Sequence, residues 1–165
     1  MSVLSDKDIM VRVQNGSLGI TPFSQANLTP NGYDLTIREI FVLPNHRYEK
    51  GVVCLHAGTW LAVSTLETIK MPLDLIGLLW TRTTYARKGL FGSYGVVDAG
   101  FHGELTLSYY STMDMEIHVG SRIAQIIFLE LSSPSDQGYP QRSGSFQGQV
   151  GVTLTSKTKN SAPGE

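Results

Sequence analysis

Residues 95–111 read GVVDAGFHGELTLSYYS. A glycine and two β-branched residues lead to Asp98 and a small-residue turn. Beyond Gly103, Leu105, Leu107 and Tyr109 alternate with Glu104, Thr106 and Ser108. Period-two alternation leaving a glycine-rich turn predicts a β-hairpin, and with it a chain built from strands. Asp98 then stands at the hairpin tip, where three glycines let backbone approach a ligand closely. A carboxylate so placed can hold a sugar hydroxyl or a water molecule. The plain alternative is an Asx turn, in which the side chain bonds only its own backbone.

Outward from this stretch the pattern repeats. Short apolar or alternating runs lie at 18–20, 33–43, 52–55, 59–66, 75–80, 95–97, 103–110, 115–119 and 123–131, separated by TPNG, LPNH, HAG, MPLD and VGS. Many short strands between turn signals predict an all-β sandwich or barrel rather than βαβ units. Two segments depart from that pattern. Ser5, followed three residues later by Asp8, has the form of a capping box ahead of Ile9, Met10 and Val13, and Asn15-Gly16 can end the short helix. RTTYARK, 82–88, is rich in long straight side chains and closes on Gly89, which predicts one or two further helical turns. From Ser132 the composition turns to Ser, Gly, Gln, Pro and Lys, with Phe146 and Val150 the sizeable apolar residues of its central part. A strand domain over 1–131 and a mobile arm over 132–165 are the expected organisation.

A chain of 165 residues, 41% of them hydrophobic, is the size of one domain with an ordinary core. The formal net charge of -1 argues against the broad basic surface that binding to a nucleic-acid polymer requires. A single cysteine, Cys54, excludes an intrachain disulfide framework and fits a reducing, cytoplasmic setting. No apolar run is long enough to cross a bilayer, and MSVLSDKDIM lacks the basic end and apolar centre of a signal peptide. His46, His56, His102 and His118 show no ligand spacing, and neither GxxxxGK[ST] nor GxSxG is present. Histidine-bound metal, P-loop ATP hydrolysis and serine hydrolase chemistry therefore lose ground.

Four groups have residue types suited to chemistry. Asp34, in PNGYDLTI, is an acid entering an apolar strand and must be solvated or paired. TRTTYARKG offers the guanidiniums of Arg82 and Arg87, the hydroxyls of Thr83 and Thr84 and a helix start, the donors a phosphate chain requires. A solvated surface helix is the bland reading of the same residues. Asp98 is the third group. Gln125, in GSRIAQIIFLEL, is an amide among apolar strand residues and needs hydrogen-bond partners if buried.

In this order the segments resemble the superfamily of trimeric dUTPases and dCTP deaminases over nearly the whole chain. PNGYDLTI resembles its first motif, and TRTTYARKGL the phosphate segment usually written RSSLA-x-x-G, with threonines in place of serines. GVVDAGFHGELTL is similar to the family's GVIDxDYRGEV, GSRIAQIIFLEL to its fourth motif, and SGSFQGQVG to the glutamine-containing tail of the deaminase branch. The resemblance implies a homotrimer of distorted, jelly-roll-like β-barrels with active sites between subunits. It further implies that Arg82, Thr83, Thr84, Arg87 and Gln125 contact the triphosphate, and that the Gly95-Val96 backbone reads the pyrimidine edge. Asp98 would bond the 3'-hydroxyl and orient the attacking water. Phe101 would pack on the deoxyribose, and Phe146 and Gln149 would belong to an arm closing over the nucleotide. Magnesium, held by the triphosphate and waters, is the implied cofactor.

The departures choose between branches. Ser108 stands where zinc-independent deaminases have the glutamate that acts as general acid and base, and a serine has no pKa suited to that role. Glu104 matches the glutamate of the dUTPase segment instead, whereas FQGQ is deaminase-like and Ser145 replaces a lysine frequent in that tail. The expectation is a deaminase-like dUTP diphosphatase. A dCTP deaminase, alone or bifunctional, and a non-catalytic nucleotide-binding trimer are the alternatives.

Overall fold

In the computed structural model, which describes residues 2–156, the first element forms as its spacing predicts. Ser5 Oγ accepts the Asp8 amide (3.3 Å) and the Asp8 carboxylate accepts the Ser5 amide (3.1 Å), so two otherwise unpaired donors are satisfied at the start of helix α1, Asp6–Gln14. Its Ile9 is fully buried, and Asn15 caps its end.

The rest is mostly strand. In chain order come β1 (Gly19–Thr21), β2 (Leu28–Thr29), β3 (Gly32–Val42), β4 (His46–Tyr48), β5 (Val52–Leu55), β6 (Trp60–Lys70) and β7 (Leu75–Thr81). A four-residue helix, α2 (Thr83–Ala86), precedes β8 (Leu90–Ser93), β9 (His102–Ser111), β10 (Met115–His118) and β11 (Arg122–Glu130), and α3 (Tyr139–Arg142) lies beyond them. The main sheet runs β7-β11-β3-β6-β9-β8, with β1 on β6, and β2 and β4 on β3; β10 and β5 form a separate pair. Every pairing is antiparallel, and the sheet curls into a nearly closed barrel around Tyr33, Leu35, Ile37, Leu61, Leu107 and Phe128.

Residues 95–97 do not form a hairpin with β9. Val97 instead makes a reciprocal backbone pair with Gly77 of β7 (2.9 and 2.8 Å), while β9 pairs β6 on one side and β8 on the other. The loop carrying Asp98 thus ties one end strand of the sheet to the other. Alternation beyond Gly103 holds for Leu105, Leu107 and Tyr109, but Glu104 is buried too, at 3% exposure. Residues 149–153 cover it, so this part of β9 is enclosed on both faces.

Two of the three glycines of the stretch serve a different purpose from the one their position suggests. A side chain at Gly100 would meet Gly138 Cα at 2.8 Å, and one at Gly103 would meet the Gln149 amide at 3.0 Å. Both sites admit the chain's own C-terminal segment rather than a ligand. In that segment Val152, not Val150, is the buried residue: Val152 is 6% exposed against Phe41, Ala62 and Trp60, whereas Val150 is 65% exposed. Residues 157–165 of the expected arm lie outside the described residues.

One buried acid yields a stability prediction. Glu67 of β6 is 2% exposed and accepts the Thr36 amide (2.8 Å) and Asn27 Nδ2 (3.4 Å). Desolvation, only partly offset by these bonds, raises its carboxyl above the usual value. The folded state then holds a proton that the unfolded state releases, so stability falls as pH rises from the ordinary glutamate range through the raised folded value. Glu67→Gln is accordingly expected to raise Tm at pH 7.5 by about 2–4 °C, the shift that roughly 1 kcal/mol gives in a domain of this size. The gain should shrink towards pH 4.5; a thermal melt series in which it grows on acidification would contradict the burial argument.

Candidate active site

Asp98 sits in the loop between β8 and β9, in a turn closed by the backbone, with the Phe101 amide donating to the Asp98 carbonyl at 3.1 Å. The residue is exposed on a cavity of about 540 Å³, lined by Gly95, Val96, Phe101, Phe146 and Gln149 among others. Six of the residues singled out in the sequence therefore meet at one place. Phe101 is 5% exposed and held edge-on against Tyr139 (5.6 Å between ring centres), and the Tyr139 hydroxyl accepts the Phe146 amide at 3.0 Å. α3 thereby links the Asp98 loop to the segment bearing Phe146. Ser108 also lines this cavity, its hydroxyl donating to the Ser93 carbonyl across the β8–β9 pair (3.2 Å). Among the described residues, Asp98 is the one carboxylate that lines the cavity.

The cationic residues gather elsewhere. Arg82, Thr84 and Arg87 line a wider, open cavity of about 1190 Å³ with Lys88 and Arg122, and the carboxylates Asp114 and Glu116 line it too. No residue lines both cavities. Thr83, the first residue of α2, is exposed beside the second cavity but does not line it.

Asp34 and Gln125 stand opposite one another on β3 and β11, behind Arg82. The Asp34 carboxylate is 3% exposed and holds Arg82 Nε at 2.9 Å and an Arg122 nitrogen at 3.4 Å. Burial raises its pKa, and the two guanidiniums pull it back. Asp34 thus fixes the orientation of Arg82. Gln125 donates through Nε2 to Thr29 Oγ1, leaving its carbonyl oxygen as the acceptor. Arg122 and Tyr139 escaped the sequence reading. Arg122 sits three residues before Gln125 in the same motif, and Tyr139 is, with Phe146, one of the two aromatics of the polar tail, the signal by which it was detectable.

Guanidinium donors thus gather at one cavity, and an exposed carboxylate stands beside an apolar aromatic wall at another. The family model for dCTP deaminase-like proteins matches residues 41–131. A dCTP deaminase from Pyrococcus horikoshii is 35% identical over 145 residues, covering 85% of this chain and 91% of that protein. A probable deoxyuridine 5'-triphosphate nucleotidohydrolase of Sulfolobus islandicus rod-shaped virus 1 is 34% identical over 156 residues, covering 92% and 97%. The crystal structure of a 2'-deoxycytidine 5'-triphosphate deaminase from Agrobacterium tumefaciens shares the fold at TM-score 0.67 with 18% identity; the match spans 76% of this chain and 47%, about half, of that one. Sequence match, barrel topology and motif order together assign this chain to the dCTP deaminase-like family, within the superfamily of dUTPases and dCTP deaminases.

Proposed function

We propose that the protein hydrolyses dUTP to dUMP and pyrophosphate as a homotrimer. The observation that supports this reading is the cavity around Asp98: among the described residues its lining offers one carboxylate, and Ser108, which by the family resemblance stands where a deaminase has its glutamate, lines it too. Phosphoanhydride cleavage needs charge neutralisation, an in-line water and a base near the phosphorus. In this reading Arg82, Arg87, Thr83, Thr84 and Gln125 bind the triphosphate, with Asp34 holding Arg82 in place. Asp98 bonds the 3'-hydroxyl and takes the proton of the attacking water. The Gly95-Val96 backbone reads the pyrimidine edge, and Phe101 packs on the sugar.

The two cavities have no lining residue in common, which supports a site completed by further copies of the chain. Among the described residues no cluster of three or more His, Cys, Asp or Glu is placed to hold a metal. In this reading magnesium is carried by the triphosphate and waters, where it would supply charge neutralisation.

A second reading is deamination of dCTP, alone or followed by diphosphate cleavage, giving dUTP or dUMP. The relatives weigh towards it, since dCTP deaminases outnumber the one probable dUTP hydrolase among the most similar of them. Incubation with dUTP and dCTP separately distinguishes the two. Pyrophosphate from dUTP and no measurable ammonia from dCTP are expected; ammonia released at a comparable rate would establish that another group does the glutamate's work.

A further inference from the structure

Glu39 of β3 and Glu104 of β9 are buried, at 6% and 3% exposure, and neither is explained by the barrel core. Each carboxylate divides its two oxygens in the same way. Glu39 accepts an Arg47 nitrogen on Oε1 (2.6 Å) and the Val152 amide on Oε2 (2.8 Å). Glu104 accepts an Arg38 nitrogen on Oε1 and the adjacent Gly151 amide on Oε2 (2.7 Å). Two successive amides of the C-terminal segment are therefore gripped by carboxylates from two strands, with β6 between them.

The same strands hold the flanking residues. The Glu104 carbonyl accepts Gln149 Nε2 (2.7 Å), the Gln149 carbonyl accepts the Glu104 amide (3.0 Å), and Thr106 Oγ1 accepts the Thr153 amide (3.0 Å). Val152 then fills the apolar patch of Phe41, Ala62 and Trp60. Immediately on either side of the gripped amides, Phe146, Gln149, Thr153 and Leu154 line the 540 Å³ cavity that Asp98 faces. Hydrogen bonds that backbone amides donate to carboxylates are of the stronger, charge-assisted kind, and here an arginine orients each carboxylate.

We propose that Glu39 and Glu104 form a carboxylate clasp that seats residues 149–153 and so positions one wall of the cavity. They are positioning residues that need not touch the nucleotide, and the consequence for turnover rests on the reading of that cavity as the nucleotide pocket. A seated wall makes the binding-competent state the dominant one; loosening it taxes affinity by the fraction of time the segment is detached.

Hydrogen exchange tests the clasp without any nucleotide. In the unaltered protein the Gly151 and Val152 amides should exchange at least about 100-fold more slowly than that of exposed Val150, and in Glu39→Ala and Glu104→Ala this protection should drop by at least about tenfold. Glu39→Gln retains an acceptor and is expected to keep protection within about threefold of the parent. On whichever of dUTP or dCTP the protein turns over, the alanine variants should raise KM by about tenfold with kcat within about threefold, whereas a merely structural loss lowers kcat at constant KM. Unprotected Gly151 and Val152 amides in the parent, or unchanged protection in folded alanine variants, would overturn the clasp. Turnover of neither nucleotide would instead overturn the pocket reading and leave the exchange result to decide the clasp alone.

Discussion

Asp98→Asn is expected to keep nucleotide binding and to slow dUTP hydrolysis by roughly 100-fold or more, the usual scale for removing a general base. The substitution preserves size and shape, and the turn it occupies is closed by backbone atoms, from the Phe101 amide to the Asp98 carbonyl, so the loop has no reason to move. What is lost is the capacity to take a proton, at the one carboxylate lining the cavity. Binding of a non-hydrolysable dUTP analogue and single-turnover hydrolysis should be measured on the same preparation. Hydrolysis within a factor of two of the parent would leave Asp98 a turn-former.

Removing Ser143 onward is the second large effect. The sheet should stay folded, because the segment adds no strand to it and its deletion opens Glu39 and Glu104 to water beside Arg47 and Arg38 rather than stranding them unpaired. Among the described residues removed, Val152 is the one buried apolar side chain, so the stability cost is on the order of 1.5–3 kcal/mol. Activity should suffer far more, by about two orders of magnitude, since Phe146, Gln149, Thr153 and Leu154 vanish from the cavity and water enters where the reaction needs it excluded. Circular dichroism, a thermal melt and the dUTP assay on the truncated chain separate the two consequences. Full activity would reduce the segment to a solvated terminus.

What the sequence made legible was local. Ser5 and Asp8 announce α1 because a capping box is closed within four residues, and β5 appears at its predicted bounds because VVCL stands alone between turns. The short strands β2, β4 and β8 were not predicted; HRY and LFGS have no alternation long enough to register. Gly95–Val97 reads as a strand, yet its partner is Gly77, and nothing in a β-branched pair tells which strand will accept it. The same limit hid the clasp. Glu39 and Glu104 look like solvent-facing positions of alternating strands until a segment more than 40 residues away lies across them. Of the site, the residue types and their motif order were legible; Arg122 as the second partner of Asp34, and the division into two cavities, depend on which strands become neighbours.

That strand order bears on how the chain can be made. β11 lies between β7 and β3, yet is the last of these strands to be synthesised. Until residue 130 has emerged, β3 and β7 each present an unpaired edge of buried-type residues, and neither can be satisfied by the other. At ordinary translation rates of about 5–20 residues per second the interval between β7 and β11 lasts on the order of seconds, far longer than a hairpin takes to form. The nascent chain therefore waits with its barrel open, and the insertion of one late strand gives both edges their partner at once.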